Sequence, residues 1–163
     1  MATTSALRLA LFEPDIPQNV GTLLRLSACL GVPMDIIEPC GFPFGRKALA
    51  RAGMDYIEQA DCTVHASWAD YQQQAHGRLV LISTRGTQSF AAFDFLPSDR
   101  LLFGAESAGV PDFVHAAADA VLRIPVRASC RSLNVAVSAA MVLSEALRQM
   151  HPDWRRLILG EKE

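Results

Sequence analysis

Residues 101–124 read LLFGAESAGVPDFVHAAADAVLRI. Leu101–Phe103 is an apolar run that predicts a strand, and residues 104–109 form a glycine-bounded turn. Pro111 suits a first helical position and predicts a short helix behind it. Val121–Ile124 reads as a further strand. Strand, turn, helix and strand in succession are the alternation of an α/β fold with a mainly parallel sheet.

The same alternation continues outward in both directions. Downstream, Leu133–Met150 predicts a long helix. Its stretch from Val135 to Leu147 is apolar or small almost all round, so it is either buried or covered by a partner. Upstream, Leu79–Ser83 predicts a strand closed by Thr84-Arg85-Gly86. Trp68–Ala75 predicts a helix, and Cys62–His65 and Met34–Ile37 predict strands. Arg46–Ala52 reads as a short basic helix ended by Gly53. Val20–Leu30 predicts a helix stopped by Gly31 and Pro33, preceded by a loop over Glu13–Asn19 and a strand over Leu7–Phe12. The strands are short and nearly all apolar, as parallel strands covered on both faces are. No repeat or linker interrupts the pattern. The expectation is one domain over 1–163, with a core at about 7–150 and a polar tail at 151–163, where Trp154 needs a partner.

The chain has 163 residues, half of them hydrophobic, and a formal net charge of −2. That is enough for one core. It also lacks the basic excess of many RNA-binding proteins, so any RNA contact must come from a local arginine cluster. The N-terminus has no long apolar segment of a secretory leader, and no stretch is long enough to span a bilayer. A cytoplasmic protein without membrane or metal is expected. Cys29, Cys40, Cys62 and Cys130 form no zinc spacing and read as reduced thiols, mostly buried. His65, His76, His115 and His151 read as surface or satisfied core residues. No pair of carboxylates suggests hydrolysis.

Open α/β sheets bind ligands beyond the carboxyl ends of their strands. That directs attention to loops 13–19, 83–88, 104–109 and 125–133. Pro17-Gln18-Asn19-Val20-Gly21 leads to Arg25, with Asn19 where a helix N-cap belongs. Phe103-Gly104-Ala105-Glu106-Ser107-Ala108-Gly109-Val110-Pro111 places two glycines around a glutamate after a strand, allowing backbone to approach a ligand. Ile124-Pro125-Val126-Arg127-Ala128-Ser129-Cys130-Arg131-Ser132-Leu133-Asn134 is a polar, basic loop before an apolar helix, and Ser132 or Asn134 could cap that helix. Taken singly, each is equally a capped helix or a tight turn.

Together, PxNxGxxxR, FGxExxGVP and IPxxxxxRSLN resemble, in order and spacing, the three signature motifs of the SpoU/TrmH branch of SPOUT RNA 2′-O-methyltransferases. The resemblance runs from about Leu7 to Gln149. Short length, Glu38-Pro39-Cys40-Gly41-Phe42 and Arg51-Ala52-Gly53-Met54-Asp55-Tyr56 resemble the TrmL (YibK-like) subgroup, which tends to carry a tyrosine where this chain has Ser144.

The resemblance implies a SPOUT fold with a C-terminal trefoil knot, formed around Gly104–Gly109 and Ile124–Asn134. It implies S-adenosylmethionine as cofactor, contacted by Ile82, Gly104, Glu106, Gly109, Ile124, Ser132 and Asn134, with Glu106 steadying its loop. Arg25 would be catalytic and aligned by Asn19, acting as a base with help from an RNA phosphate or as a charged stabiliser. The substrate implied is the wobble nucleotide, position 34, of leucine tRNAs. Arg46, Lys47, Arg51, Arg85, Arg127 and Arg131 are candidates for its phosphates. A homodimer through the last helix is also implied. The competing readings are a non-catalytic tRNA-binding dimer and another nucleotide-binding α/β protein, although no phosphate loop is present.

Overall fold

Along Arg8–Phe12 (β1), Leu9 and Leu11 face one side of the sheet, Ala10 and Phe12 face the other, and all four are buried. A strand with both faces apolar must lie inside a covered sheet, and β1 does. The computed structural model describes residues 6–45, 47 and 58–151. Its sheet also contains β2 (Met34–Ile37), β3 (Cys62–His65), β4 (Leu79–Ile82), β5 (Gln88–Ser89), β6 (Arg100–Phe103) and β7 (Ala120–Arg123). The strand order is β3-β2-β1-β6-β4-β7-β5, and every pairing is parallel.

Two helices cover one face. Val20, Leu23 and Leu24 of α1 (Pro17–Leu30) and Ala139, Val142, Leu143 and Ala146 of α4 (Val135–Met150) pack with Leu9 and Leu11. Each fully buried leucine contributes about 1.5–3 kcal/mol. On the other face, Tyr71 of α2 (Trp68–Gln74) and Val114 of α3 (Asp112–Ala117) pack on Ala10, Phe12, Leu79 and Leu81. Because all strands run the same way, the loops after β1, β4, β6 and β7 emerge at one edge.

Several expectations need correction. Helix α1 begins at Pro17, not Val20, and its N-cap is Ile16, which offers no side-chain acceptor. Asn19 therefore lies in the first turn and its amide is available for other partners. The missed signal was proline at the first helical position. Pro111 precedes α3 as its N-cap. Strand β5 and a short 3₁₀ turn at Phe90–Ala92 were not anticipated. Asn134, not Ser132, caps α4, accepting from the Ala136 and Val137 amides at 2.8 and 3.2 Å. The apolar girth of α4 divides into a buried face and an exposed one, where Val137 and Met141 remain 49% and 39% accessible. The cysteines are not mostly buried: Cys29 and Cys130 are exposed, Cys40 and Cys62 partly buried. Cys29 lies on the outer side of α1 and Cys130 in the polar loop before α4. The expected helix at Arg46–Ala52, the tail and Trp154 lie outside the described residues, apart from the exposed Lys47 and the exposed His151. Among the described residues no helix is long and apolar enough to cross a membrane, and no group of three His, Cys, Asp or Glu could hold a metal ion.

Candidate active site

The turn after β6 closes on itself. Ala105 and Gly109 exchange both backbone hydrogen bonds, at 3.1 and 2.8 Å. Gly104 lies so close beneath Gly109 that a Cβ there would stand 2.4 Å from the Gly109 carbonyl carbon, and Gly109 itself takes φ +63°. Only glycine fits both conditions. At the tip, the Glu106 and Ser107 amides donate to the two carboxylate oxygens of Asp15 at 2.9 and 3.2 Å, and the Ser107 hydroxyl donates to Asp15 as well. Desolvation pushes the Asp15 carboxyl up, but these Ser107 and Glu106 hydrogen bonds outweigh it and hold it below its ordinary value of 3.8.

Glu106 joins the three loops. Its Oε2 accepts from Asn19 Nδ2 at 3.0 Å and from the Val135 amide at 2.9 Å. Asn134 Nδ2 donates to Asn19 Oδ1 at 3.0 Å. The starts of α1 and α4 and the turn after β6 thus share one hydrogen-bond ring. These bonds give Asn19 partners other than the backbone of its own helix.

Behind this ring lies a cavity of about 330 Å³, inside the range of roughly 300–1,000 Å³ usual for small-molecule sites. Ile82, Gly104, Glu106, Gly109, Ile124 and Ser132 all line it. Asn134 does not, and acts one step away through the cap and Asn19. Arg25 lies on the exposed side of α1. Six residues from Asn19, it stands about 9 Å along the helix axis and off Asn19's face. Of the phosphate candidates, Arg85 lines the cavity and pairs with Asp112 at 2.7 Å. Arg127 and Arg131 are exposed on the loop before α4, and Lys47 is exposed. Arg46 and Arg51 lie outside the described residues.

Sequence reasoning missed four contributors. Asp15 had no recognisable pattern. A Cβ on Gly86 would meet the Leu122 carbonyl carbon at 2.5 Å, so glycine lets the loop after β4 press against β7. Ser83 and His115 line the cavity with Ser83 Oγ 3.4 Å from His115 Nε2. Burial and the nearby Arg85 lower the His115 pKa from its usual 6.5. His65 is the core residue expected. Its Nε2 lies 2.9 Å from Asp35, but its buried Nδ1 has no hydrogen-bond partner among the described residues.

The cavity thus lies at the carboxyl ends of a parallel sheet, and the chain that forms it matches known proteins. The SpoU rRNA Methylase family model matches residues 6–144. The chain belongs to the SpoU methylase family. A tRNA (cytidine(34)-2′-O)-methyltransferase of Beijerinckia indica is 57% identical over 145 residues, covering 87% of this chain and 91% of that protein. A solved structure described as giving structural insights into the 2-OH methylation of C/U34 on tRNA is 38% identical. It superposes with a TM-score of 0.85, covering 91% of this chain and 99% of that one. An AdoMet-bound rRNA methyltransferase from Sinorhizobium meliloti is 26% identical with a TM-score of 0.79, covering 91% of this chain and 58% of that one. The parallel α/β fold is the SPOUT methyltransferase fold of these SpoU relatives.

Proposed function

We infer that this SpoU-family chain is an S-adenosylmethionine-dependent tRNA 2′-O-methyltransferase acting on nucleotide 34. The observation that carries the reading is the ring Asn19–Glu106–Asn134, which closes three separated loops around a cofactor-sized cavity. The cavity fits the cofactor. Gly104 lets the turn close tightly on Gly109, whose left-handed backbone suits glycine, and both glycines line the cavity with bare backbone. Leu81, Ile82, Phe103 and Ile124 supply apolar wall. Ile82, Gly104, Gly109, Ile124 and Ser132 would hold it. When bound, S-adenosylmethionine would supply an electrophilic methyl group to the ribose 2′-oxygen, leaving S-adenosylhomocysteine, with the hydroxyl proton passing to solvent water.

The chain's own residues do the rest. The ring fixes the turn so that the two reacting atoms are held close and in line. A guanidinium keeps its proton near neutrality. Arg25 therefore serves as a charged group that orients a phosphate and stabilises negative charge developing on the 2′-oxygen. Arg85, Arg127, Arg131, Lys47, Arg46 and Arg51 supply phosphate contacts in this reading. Leucine tRNAs are the proposed substrates and the cytoplasm the proposed compartment. A knotted path through the loops at Gly104–Gly109 and Ile124–Asn134 is part of the proposal.

A homodimer belongs to the same reading. Val137 and Met141, four residues apart, leave an exposed apolar stripe on α4, with exposed Leu133 just before the helix and exposed Ser144 beyond it. Such a stripe suits a self-complementary interface.

The test is calorimetry with S-adenosylhomocysteine, FMN, NAD and ATP, paired with methyl transfer to tRNA. Binding of S-adenosylhomocysteine alone, with transfer lost in Arg25→Ala but binding kept, is expected. Binding of another nucleotide instead, or transfer surviving Arg25→Ala, contradicts the reading.

A further inference from the structure

The turn after β6 has a second side. Residues 105 and 107–110 line the cofactor cavity and also a wider cleft of about 610 Å³. The other walls include Phe12 and Glu13 from the end of β1, Asp15 in the loop beyond it, Pro39 and Cys40 after β2, and Phe113 in α3. The cleft is therefore separated from the cofactor only by one tight turn.

Three features of this cleft are unusual. Phe113 is 59% exposed, the most exposed large hydrophobic residue among those described. Its ring is steadied by Phe12, edge-on with centroids 6.4 Å apart. Glu13 takes φ +43°, a left-handed conformation that a glutamate rarely adopts. It is held there by a backbone bond to Ile37 at 2.9 Å. Strained backbone of this kind concentrates at functional sites. Finally, the Asp15 carboxylate is already taken by the Glu106 and Ser107 amides. The Glu13 carboxylate has no hydrogen bond or ion pair among the described residues.

We propose that this cleft receives the base of the target nucleotide, stacked on Phe113 and read by Glu13. The inference rests on the function proposed above, which requires a ribose beside the methyl donor and hence its base within a nucleotide's reach. An exposed, anchored aromatic ring is a platform for an unpaired base. A free carboxylate accepts from the exocyclic amino group of cytosine. It faces the O4 acceptor of uracil with no donor between them. Glu13 thus favours cytidine over uridine at the methylated position, while stacking on Phe113 is indifferent to the base.

The experiment uses an anticodon stem-loop carrying 5-iodocytidine at position 34, bound to the full chain with S-adenosylhomocysteine and irradiated. Mass spectrometry is expected to find the crosslink on Phe113. Alongside, Phe113→Ala should raise KM for tRNA about tenfold with S-adenosylhomocysteine affinity unchanged, and Phe113→Tyr should restore it. Glu13→Gln should lower the preference for C34 over U34 substrates about tenfold. A crosslink elsewhere, or a Phe113→Ala protein with unchanged KM, overturns the stacking assignment. An unchanged C34/U34 ratio in Glu13→Gln overturns the reading of the base by Glu13. A wild-type chain that crosslinks at Phe113 without methylating defeats the proposed function and leaves the cleft standing. A chain that binds no RNA defeats both.

Discussion

Asn134 Nδ2 donates to Asn19 Oδ1 at 3.0 Å, a bond across 115 residues of sequence. The same Asn134 caps α4 through its Oδ1. One side chain therefore starts the last helix and fixes the first.

These two duties separate in Asn134→Asp. A carboxylate still accepts from the Ala136 and Val137 amides, so the cap survives, but it has no proton for Asn19 and sits near Glu106. The expected outcome is a melting temperature close to wild type with methylation lowered at least tenfold. Asn134→Ala should lose about 1 kcal/mol of stability as well. Thermal denaturation and initial rates check both, and equal activity in Asn134→Asp contradicts the linkage.

Gly104→Ala forces a methyl group to within 2.4 Å of backbone at Gly109. No side-chain rotation relieves a clash with main chain, so the turn must open. Calorimetry should show S-adenosylhomocysteine binding weakened at least a hundredfold while far-ultraviolet circular dichroism stays native. Unaltered affinity would contradict the packing of that turn.

Much of this arrangement was readable in the sequence. Leu79–Ser83 and Leu101–Phe103 read as strands and correspond to β4 and β6, because parallel strands with both faces covered are uninterrupted apolar runs. The loops carrying Asn19, Glu106 and Ser132 were legible as polar and glycine residues beyond strand ends. Partnership across the fold was not. Asn19 resembled a cap because local spacing shows only local partners, yet its amide reaches Glu106, 87 residues away. Asp15, Gly86 and His115 carry no local signature, since each acquires its role from a loop delivered by a distant crossover. Strand β5 pairs through just two residues with β7, too few to produce a period.

Asp15 makes the turn sensitive to acid. Its folded pKa lies below the ordinary 3.8, so it contributes stability that is present above that value and is lost as pH falls through the folded pKa. S-adenosylhomocysteine affinity, followed by calorimetry down the acid limb, should fall below about pH 4 in wild type. In Asp15→Asn affinity should be weaker at neutrality and flatter with pH. A wild-type acid limb shared unchanged by Asp15→Asn would contradict this role.

The apolar stripe on α4 predicts an assembly. Met141→Glu places a charge on the exposed face and leaves the buried face of Ala139, Val142 and Leu143 intact. Sedimentation velocity should show a wild-type dimer and a folded Met141→Glu monomer. A wild-type monomer, or a dimer unaffected by the charge, refutes the stripe as the interface.

The central claim is methylation of one ribose, and nucleoside mass spectrometry reads it directly. Unmethylated tRNA is incubated with the chain and S-adenosylmethionine, digested and mapped. The account predicts a single new 2′-O-methylated nucleoside, at position 34. Methyl groups on a base, at another position, or absent altogether would contradict it.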